Sequence, residues 1–207
     1  AGLGRAFRAP DATDRFGFGG NPDLSPETAG EMQVGLRYRP GGRHTVSLEL
    51  YRKDIDDLID FDLDTFTLRN IAKAEIRGAE LSWDYRGDGF SIRTSLLKQS
   101  ADNPGDGSRL LRRAEESATI SATKDIGRHR VGLSMLASGD RKDFGDATLP
   151  GYAHDHLTGQ LALGDTLRLP ARLEHLFDRD YQTAAGVRLQ GLSAFAELRF
   201  AWRLSEA

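Results

Sequence analysis

The chain has 207 residues, 29% of them charged, a formal net charge of -3 and no cysteine. The near-neutral charge, with no basic stripe interleaved with aromatics, excludes a nucleic-acid-binding module. No apolar run approaches the roughly 20 residues that a membrane helix requires, which excludes a helical membrane protein. The absence of cysteine fits an oxidising compartment that needs no disulfide, without selecting one. A mean hydropathy of -0.48 suits an ordinary soluble domain, but it does not exclude a membrane barrel, in which only every second residue faces lipid.

In chain order, residues 1 to 7 read as the tail of a strand whose start is missing, and no signal peptide is visible ahead of it. A long polar segment follows over residues 8 to 27. Met32, Val34, Leu36 and Tyr38 then share one face of an extended run, with Gln33, Gly35 and Arg37 on the other. The turn Pro40-Gly41-Gly42 leads to Val46, Leu48 and Leu50, which alternate with Ser47, Glu49 and Tyr51. A second long segment is expected over residues 55 to 74. Ala79, Leu81, Trp83 and Tyr85 then oppose Glu80, Ser82, Asp84 and Arg86. After Gly87-Asp88-Gly89, the residues Phe90, Ile92, Thr94 and Leu96 oppose Ser91, Arg93 and Ser95.

A third long segment covers residues 100 to 114. The weak strand 117 to 124 carries only Ala118, Ile120 and Ala122 on its apolar face. Asp125-Ile126-Gly127 turns the chain into Val131, Leu133 and Met135, and a fourth long segment runs over residues 139 to 154. Leu157, Gly159, Leu161 and Leu163 share a face. Gly164-Asp165 connects them to Leu167, Leu169, Ala171 and Leu173. A fifth long segment covers residues 178 to 191, and the last strand places Leu198, Phe200 and Trp202 opposite Glu197, Arg199 and Ala201.

The connectors therefore switch between long polar loops and tight Gly-rich turns of the kind that close β-hairpins. A soluble antiparallel sheet with one wet face explains the alternation within strands, but it gives no reason to sort the connectors by length. An outer-membrane barrel does, because its periplasmic rim has short turns and its outer rim long loops. Tyr38, Tyr51, Tyr85, Phe177 and Trp202, near strand ends, suit interfacial aromatic girdles. The polar face carries Arg37, Glu49, Glu80, Arg93, Arg172, Glu174 and Arg199, which need the polar or plugged lumen of a wide barrel. The expected fold is all-β, an antiparallel up-and-down transmembrane β-barrel. Anchored on Trp202 as the periplasmic end, the Gly-rich turns face the periplasm and the long loops face outward.

Several motifs sharpen this. Arg5-Ala6-Phe7-Arg8-Ala9-Pro10 followed by Gly20-Asn21-Pro22-Asp23-Leu24-Ser25-Pro26-Glu27 resembles the late-barrel signature of TonB-dependent outer-membrane receptors. The runs from Asp54 to Asp60, from Asn70 through Arg77-Gly78 to Glu80, and Leu110-Leu111-Arg112-Arg113-Ala114 are similar to further family segments. Glu174-His175-Leu176-Phe177-Asp178-Arg179-Asp180-Tyr181 resembles the penultimate-strand motif, with His175 where the family usually has Asn. The resemblance runs the length of the chain and is nearest to the cobalamin-transporter branch.

This resemblance implies a C-terminal fragment, residues 1 to 207, of a plugged barrel of about 22 strands, with the plug domain and N-terminal strands absent. It implies outer-membrane localisation and lipid as partner. It also implies import of a small nutrient, a corrinoid or alternatively a siderophore or haem iron chelate, and contact with TonB only through the missing N-terminal part. Phe7, Arg8, Pro10, Asn21, Pro22, Pro26, Glu27, Gly78, Leu176, Phe177, Asp178, Tyr181 and Trp202 are its structural motif positions. The tail after Trp202 departs from the aromatic ending usual in the family.

Candidate chemical sites are few. His154-Asp155-His156 puts two imidazoles on one face, but without a third clustered ligand a loop-to-strand junction outweighs a metal pair. Asp54, Asp56, Asp57, Asp60, Asp62 and Asp64 lack the spacing of a calcium loop and read as a solvated acidic segment. No nucleophile-elbow or phosphate-loop motif occurs, so neither catalytic residues nor a cofactor or metal is expected. Arg15, Phe16, Phe18, Phe66, Phe144 and Tyr152 are the outer-loop candidates for ligand contact. A barrel-anchored enzyme and a soluble β-rich binding module are the competing classes.

Overall fold

The computed structural model describes residues 1–62, 64–145, 147–187 and 189–201. The elements in chain order are β1 (Gly2–Arg8), a short helix α1 (Ala12–Phe16), β2 (Glu27–Tyr38), β3 (His44–Asp62), β4 (Thr67–Gly87), β5 (Phe90–Asp102) and β6 (Glu116–Ile126). They continue with β7 (His129–Ser138), β8 (Arg141–Lys142), β9 (Thr148–Leu149), β10 (Tyr152–Ala162), β11 (Leu167–Glu174), β12 (Ser193–Ala196) and β13 (Arg199–Phe200).

All but β8 and β9 join one 11-stranded sheet, in the order β1-β2-β3-β4-β5-β6-β7-β10-β11-β12, with β13 also on β11. β8 and β9 form a separate small hairpin inside the long connector before β10. Every described pairing is antiparallel, and the sheet follows chain order apart from the inserted β8–β9 hairpin and from β13, which shares β11 with β12. This is the up-and-down order that the connectors predict. The last predicted strand appears as two pieces, β12 and β13, and the break lies opposite Pro170 of β11. Pro170 has no N–H to give the ladder. Glu197 still donates to its carbonyl at 3.0 Å, and pairing resumes at Arg199↔Arg168.

The expected long loop over residues 55 to 74 is corrected. β3 and β4 stay paired from His44↔Tyr85 out to Asp62↔Thr67, leaving only a tip between them. Asp57 steps out of the ladder with φ of 59°, and pairing resumes at Leu58↔Ile71. With 19 and 21 residues, β3 and β4 far exceed the 9–11 residues that cross a bilayer. Their outer halves stand clear of it.

Cross-strand register sorts the side chains as the alternation requires. One continuous row is Leu36, Leu48, Leu81, Leu96, Ala118, Ala137 and Ala153, each directly opposite the next. Leu36 is 70% exposed, and Met32, Leu50, Leu81, Leu96, Ile120 and Leu133 are exposed with it. Nothing described covers this face. The buried apolar residues among those described are Leu24, Ala74, Ala101 and Leu149, all toward the long-loop rim. A soluble sheet covers its apolar face with a second layer, whereas the wall of an outer-membrane barrel leaves such a face uncovered by protein.

At the short-turn rim, Tyr85 lies near His44 and Phe90 at centroid distances of 4.9 and 6.1 Å. Trp83 Nε1 donates to His44 Nδ1 at 3.2 Å. With Tyr38, these form an aromatic girdle. Tyr51 is corrected out of it: it pairs with Gln33 and Gly78 on the polar face, and its hydroxyl donates to Gln99 Oε1 at 2.9 Å. A Cβ on Gly78 would sit 2.6 Å from that hydroxyl oxygen, so glycine is what lets the ring lie across the strand. Phe177 lies beyond β11, exposed in the outer connector. Trp202 and the tail after it lie outside the described residues.

Candidate functional site

The polar face of the sheet carries ladders of charge. Arg93 Nε donates to Asp84 at 2.8 Å, Ser95 to Glu80 at 2.5 Å and Arg130 to Asp125 at 2.6 Å. Arg37, Arg43, Glu49, Glu80, Asp84 and Arg93 line a polar concavity of about 620 Å³ toward the short-turn rim. Near β12, Arg172 pairs with Glu174 at 2.9 Å and lies 5.0 Å from the Phe195 ring centre. Such a face is compatible with a wet or protein-filled lumen and not with lipid.

At the opposite rim the long connectors are built structures, and they fall into two groups. The first joins the connector after β1 to the tall β3–β4 hairpin. Arg8 grips Glu27 through two bonds of 2.9 and 3.1 Å and Asp14 through one of 2.8 Å. Glu27 Oε1 in turn accepts the Ile59 amide of β3 at 2.8 Å. Asp11 and Asp14 close a capping box on α1, and Asn21 Nδ2 donates to the Leu68 carbonyl at 3.1 Å. Asn70 is the clasp: its side chain accepts the Ser25 amide and donates to the carbonyls of Ser25 and Asp57.

The second group ties together the connectors before β6, before β10 and after β11. Asp143 has a fully buried carboxylate that accepts Arg112 Nε at 2.8 Å, the Ala185 amide at 2.6 Å and the Phe144 amide at 2.9 Å. Arg112 also donates its own amide to the Lys142 carbonyl at 2.7 Å. Arg141 reaches across to the carbonyls of Gln182 and Thr183. The Ala185 amide and the Arg112 guanidinium hold the Asp143 carboxyl below its ordinary range, against the opposing effect of burial. Burial and the neighbouring Tyr152 push the Tyr181 phenol up.

The sequence-predicted residues distribute over this rim unevenly. Phe16, Phe18 and Phe66 are 74%, 89% and 62% exposed on the first group, and Phe66 meets Phe61 edge to face at 6.4 Å. Arg15 lies beside them, its Nε buried without a hydrogen-bond partner among the described residues. Phe144 lies under the Arg112 guanidinium at 4.9 Å, and Tyr152 is sandwiched between Arg141 and Tyr181. Those two rings pack against other connectors, Phe144 against the one before β6 and Tyr152 against the one after β11. Of the motif positions, Arg8, Asn21 and Glu27 hold the first group. Pro10, Pro22 and Pro26 lie along the connector that this group braces, and Phe7 faces outward, 76% exposed. Leu176, Phe177 and Asp178 form the turn after β11. There the Leu176 amide binds buried Asp155 at 2.9 Å, and Asp178 accepts the Leu192 amide at 2.9 Å.

The sequence motifs do not include Arg141 or Asp143. Arg112 and Asn70 fall inside recognised motifs, but nothing in the spacing marks Asp143 as the residue on which three connectors meet.

The open antiparallel order, the uncovered apolar face and the sorted rims define the wall of an outer-membrane β-barrel. The family model of TonB-dependent receptor-like β-barrels matches residues 1–173, and this chain belongs to that bacterial outer-membrane family of transporters and receptors. It is 33% identical over 192 residues to the vitamin B12 transporter BtuB of Vibrio vulnificus (strain YJ016), a match covering 89% of this chain and 31% of that protein. Among solved structures it resembles the copper transporter OprC, with TM-score 0.78 and 22% identity over 97% of this chain and 36% of the other. It also resembles the ferric enterobactin receptor PfeA of Pseudomonas aeruginosa in its G324V form, with TM-score 0.77 and 17% identity over 97% and 37% of the two chains. These structural likenesses establish the fold. The chain spans about a third of the length of the relatives it matches.

Proposed function

We propose that residues 1–207 are the C-terminal part of the barrel of a TonB-coupled active transporter whose nutrient is a corrinoid, and that they contribute no catalytic step. The observation that carries the nutrient is the 33% identity to a vitamin B12 transporter, sustained over 89% of the chain. The remaining barrel strands, the plug and the TonB contact belong, in this reading, to polypeptide N-terminal of Ala1. The open edge of β1, which pairs only with β2, is consistent with further strands there. The polar face would line the lumen, lipid would cover the apolar face, and the two loop groups would meet the nutrient first. Phe16, Phe18 and Phe66 offer it apolar contact from a braced platform.

The test is growth. A bacterium deleted for its corrinoid transporter and carrying the complete gene should grow on limiting corrinoid. Absence of rescue there, with rescue of a receptor-deleted strain on a ferric chelate, overturns the corrinoid and supports the iron alternative.

A further inference from the structure

The outer end of β10 holds a cluster that the loop ties do not use. His154 and His156 lie on the polar face of β10, their rings edge to face at 4.1 Å between centroids. A third imidazole joins them from β11. His175 follows the last residue of that strand with φ of 55°, a left-handed conformation that swings its ring to 5.1 Å from His154. Glu174 lies 4.0 Å from His156 Nδ1, and Tyr181 stacks on His175 at 5.7 Å. Both ring nitrogens of His154 and Nδ1 of His156 are buried without any hydrogen-bond partner among the described residues. Buried imidazole nitrogens left unpaired are costly, and three of them in one cluster call for something that satisfies them together.

We propose that His154, His156 and His175, with the Glu174 carboxylate, form a binding site for one divalent transition-metal ion of the zinc or copper type. Imidazole nitrogens with one carboxylate oxygen are the donor set such ions take. Among the described residues no three His, Cys, Asp or Glu side chains are arranged to hold a metal ion as the structure stands, so ligation requires the imidazoles to turn about their side-chain torsions out of edge contact. Entry is from the side of His156 and Glu174, whose side chains are 27% and 23% exposed. The ion would clip the connector after β11 to the wall of β10. Of the neighbouring cations, Arg141 is engaged on the Gln182 and Thr183 carbonyls, whereas Arg172 pairs with Glu174 itself at 2.9 Å. Arg172 is the competitor the metal must displace or share.

The site is independent of which nutrient is imported, so the growth assay and the metal assay fail separately. The experiment titrates the complete outer-membrane protein, stripped with chelator in detergent, with Zn²⁺, Cu²⁺ and, as a spectroscopic probe, Co²⁺. The expected result is one ion per protein and visible Co²⁺ absorption of histidine ligation. Affinity should fall at least about tenfold in His154→Gln and in His175→Asn. His175→Asn suits the left-handed backbone and keeps the fold. Limited proteolysis of the connector after β11 should slow on metal addition in the parent protein and not in these variants. Absence of stoichiometric binding by the parent, or binding undiminished in both variants, overturns the site.

Discussion

Asp143 shows how much of the outer rim rests on single side chains. Its carboxylate is fully buried and accepts bonds from the connectors before β6 and after β11 and from the amide of its own neighbour Phe144. Asp143→Ala leaves the Arg112 guanidinium and the Ala185 amide without their acceptor, an expected loss of about 1–3 kcal/mol confined to the rim. Hydrogen exchange of the Ala185 amide should accelerate while the strand amides stay protected. The same group sets a pH dependence. Its folded pKa lies below the ordinary aspartate range, so its stabilisation is fully present above the unfolded value of about 3.9 and is lost as pH falls through the lower folded pKa. Protease sensitivity of the connectors should be flat from neutral pH down to about 4 and should rise only in stronger acid. A rise near neutral pH would show that some other group governs the rim.

Gly78 and Tyr51 give a paired test at the same scale. Gly78→Ala places a methyl group 2.6 Å from the Tyr51 hydroxyl oxygen, so the ring must leave Gln99. Folded barrel, read as heat-modifiable migration on a gel, should fall in Gly78→Ala and recover in the double variant that also carries Tyr51→Ser. Equal yields in all three would remove the steric reading.

Among elements, the tall hairpin of β3 and β4 was the least legible in the sequence. Within the bilayer the period of two is enforced by lipid on one side, and it was readable at Leu48, Leu50, Leu81 and Trp83. Beyond Tyr51 the apolar residues change face: Ile55, Ile59 and Phe61 fall on the side of Glu49 and Tyr51, while Asp54, Asp56, Asp60 and Asp62 fall on the side of Leu48 and Leu50. The period of two therefore inverts while the ladder continues to Asp62↔Thr67, and a run so dense in aspartate reads as a loop. Loop chemistry and tall-strand chemistry look alike once lipid is gone. The turns at Gly41-Gly42, Gly89 and Gly127 were legible because their positive φ values need residues of that kind. The two-piece final strand was also readable in principle, since Pro170 stands in its partner.

The site was legible in part for a related reason. Recognised motifs contained Arg8, Asn21 and Glu27, while the Asp143 tie and the His175 approach depend on residues 31 to 42 positions apart or on a left-handed backbone, which no local pattern reports. The hairpin also has its own test. Asn70→Ala removes the clasp to Ser25 and Asp57, and amide exchange from Ile59 to Leu68 should speed up at least tenfold while the amides from Val46 to Leu50 hold. That fold-change corresponds to about 1.4 kcal/mol.

At the scale of the whole molecule, the apolar face has no second layer among the described residues, as the wall of a membrane barrel requires. The sheet has two open edges, β1 and the β12–β13 strand, and unpaired strand edges in hydrocarbon are unsatisfied and prone to pair with other chains. Residues 1–207 expressed alone should therefore sediment or remain in inclusion bodies. Refolding into detergent should give heterogeneous oligomers on size exclusion, and a sharp monodisperse monomer in plain buffer would contradict the membrane assignment. The same argument explains why bulk composition misleads here: a wall one residue thick, with water or protein on one side, needs few apolar residues to be a membrane protein.

The height of the β3–β4 hairpin has a practical consequence. About 11 residues of β3 suffice to cross the bilayer, and the surplus adds roughly 25 Å of tilted strand beyond it at about 3.3 Å per residue. A small epitope tag spliced between Asp64 and Thr65 would ride at the top of a braced mast, where antibodies and phage arriving at an intact cell make first contact. Labelling at that point on living cells would count receptors and report their orientation while leaving the wall and the clasp at Asn70 undisturbed.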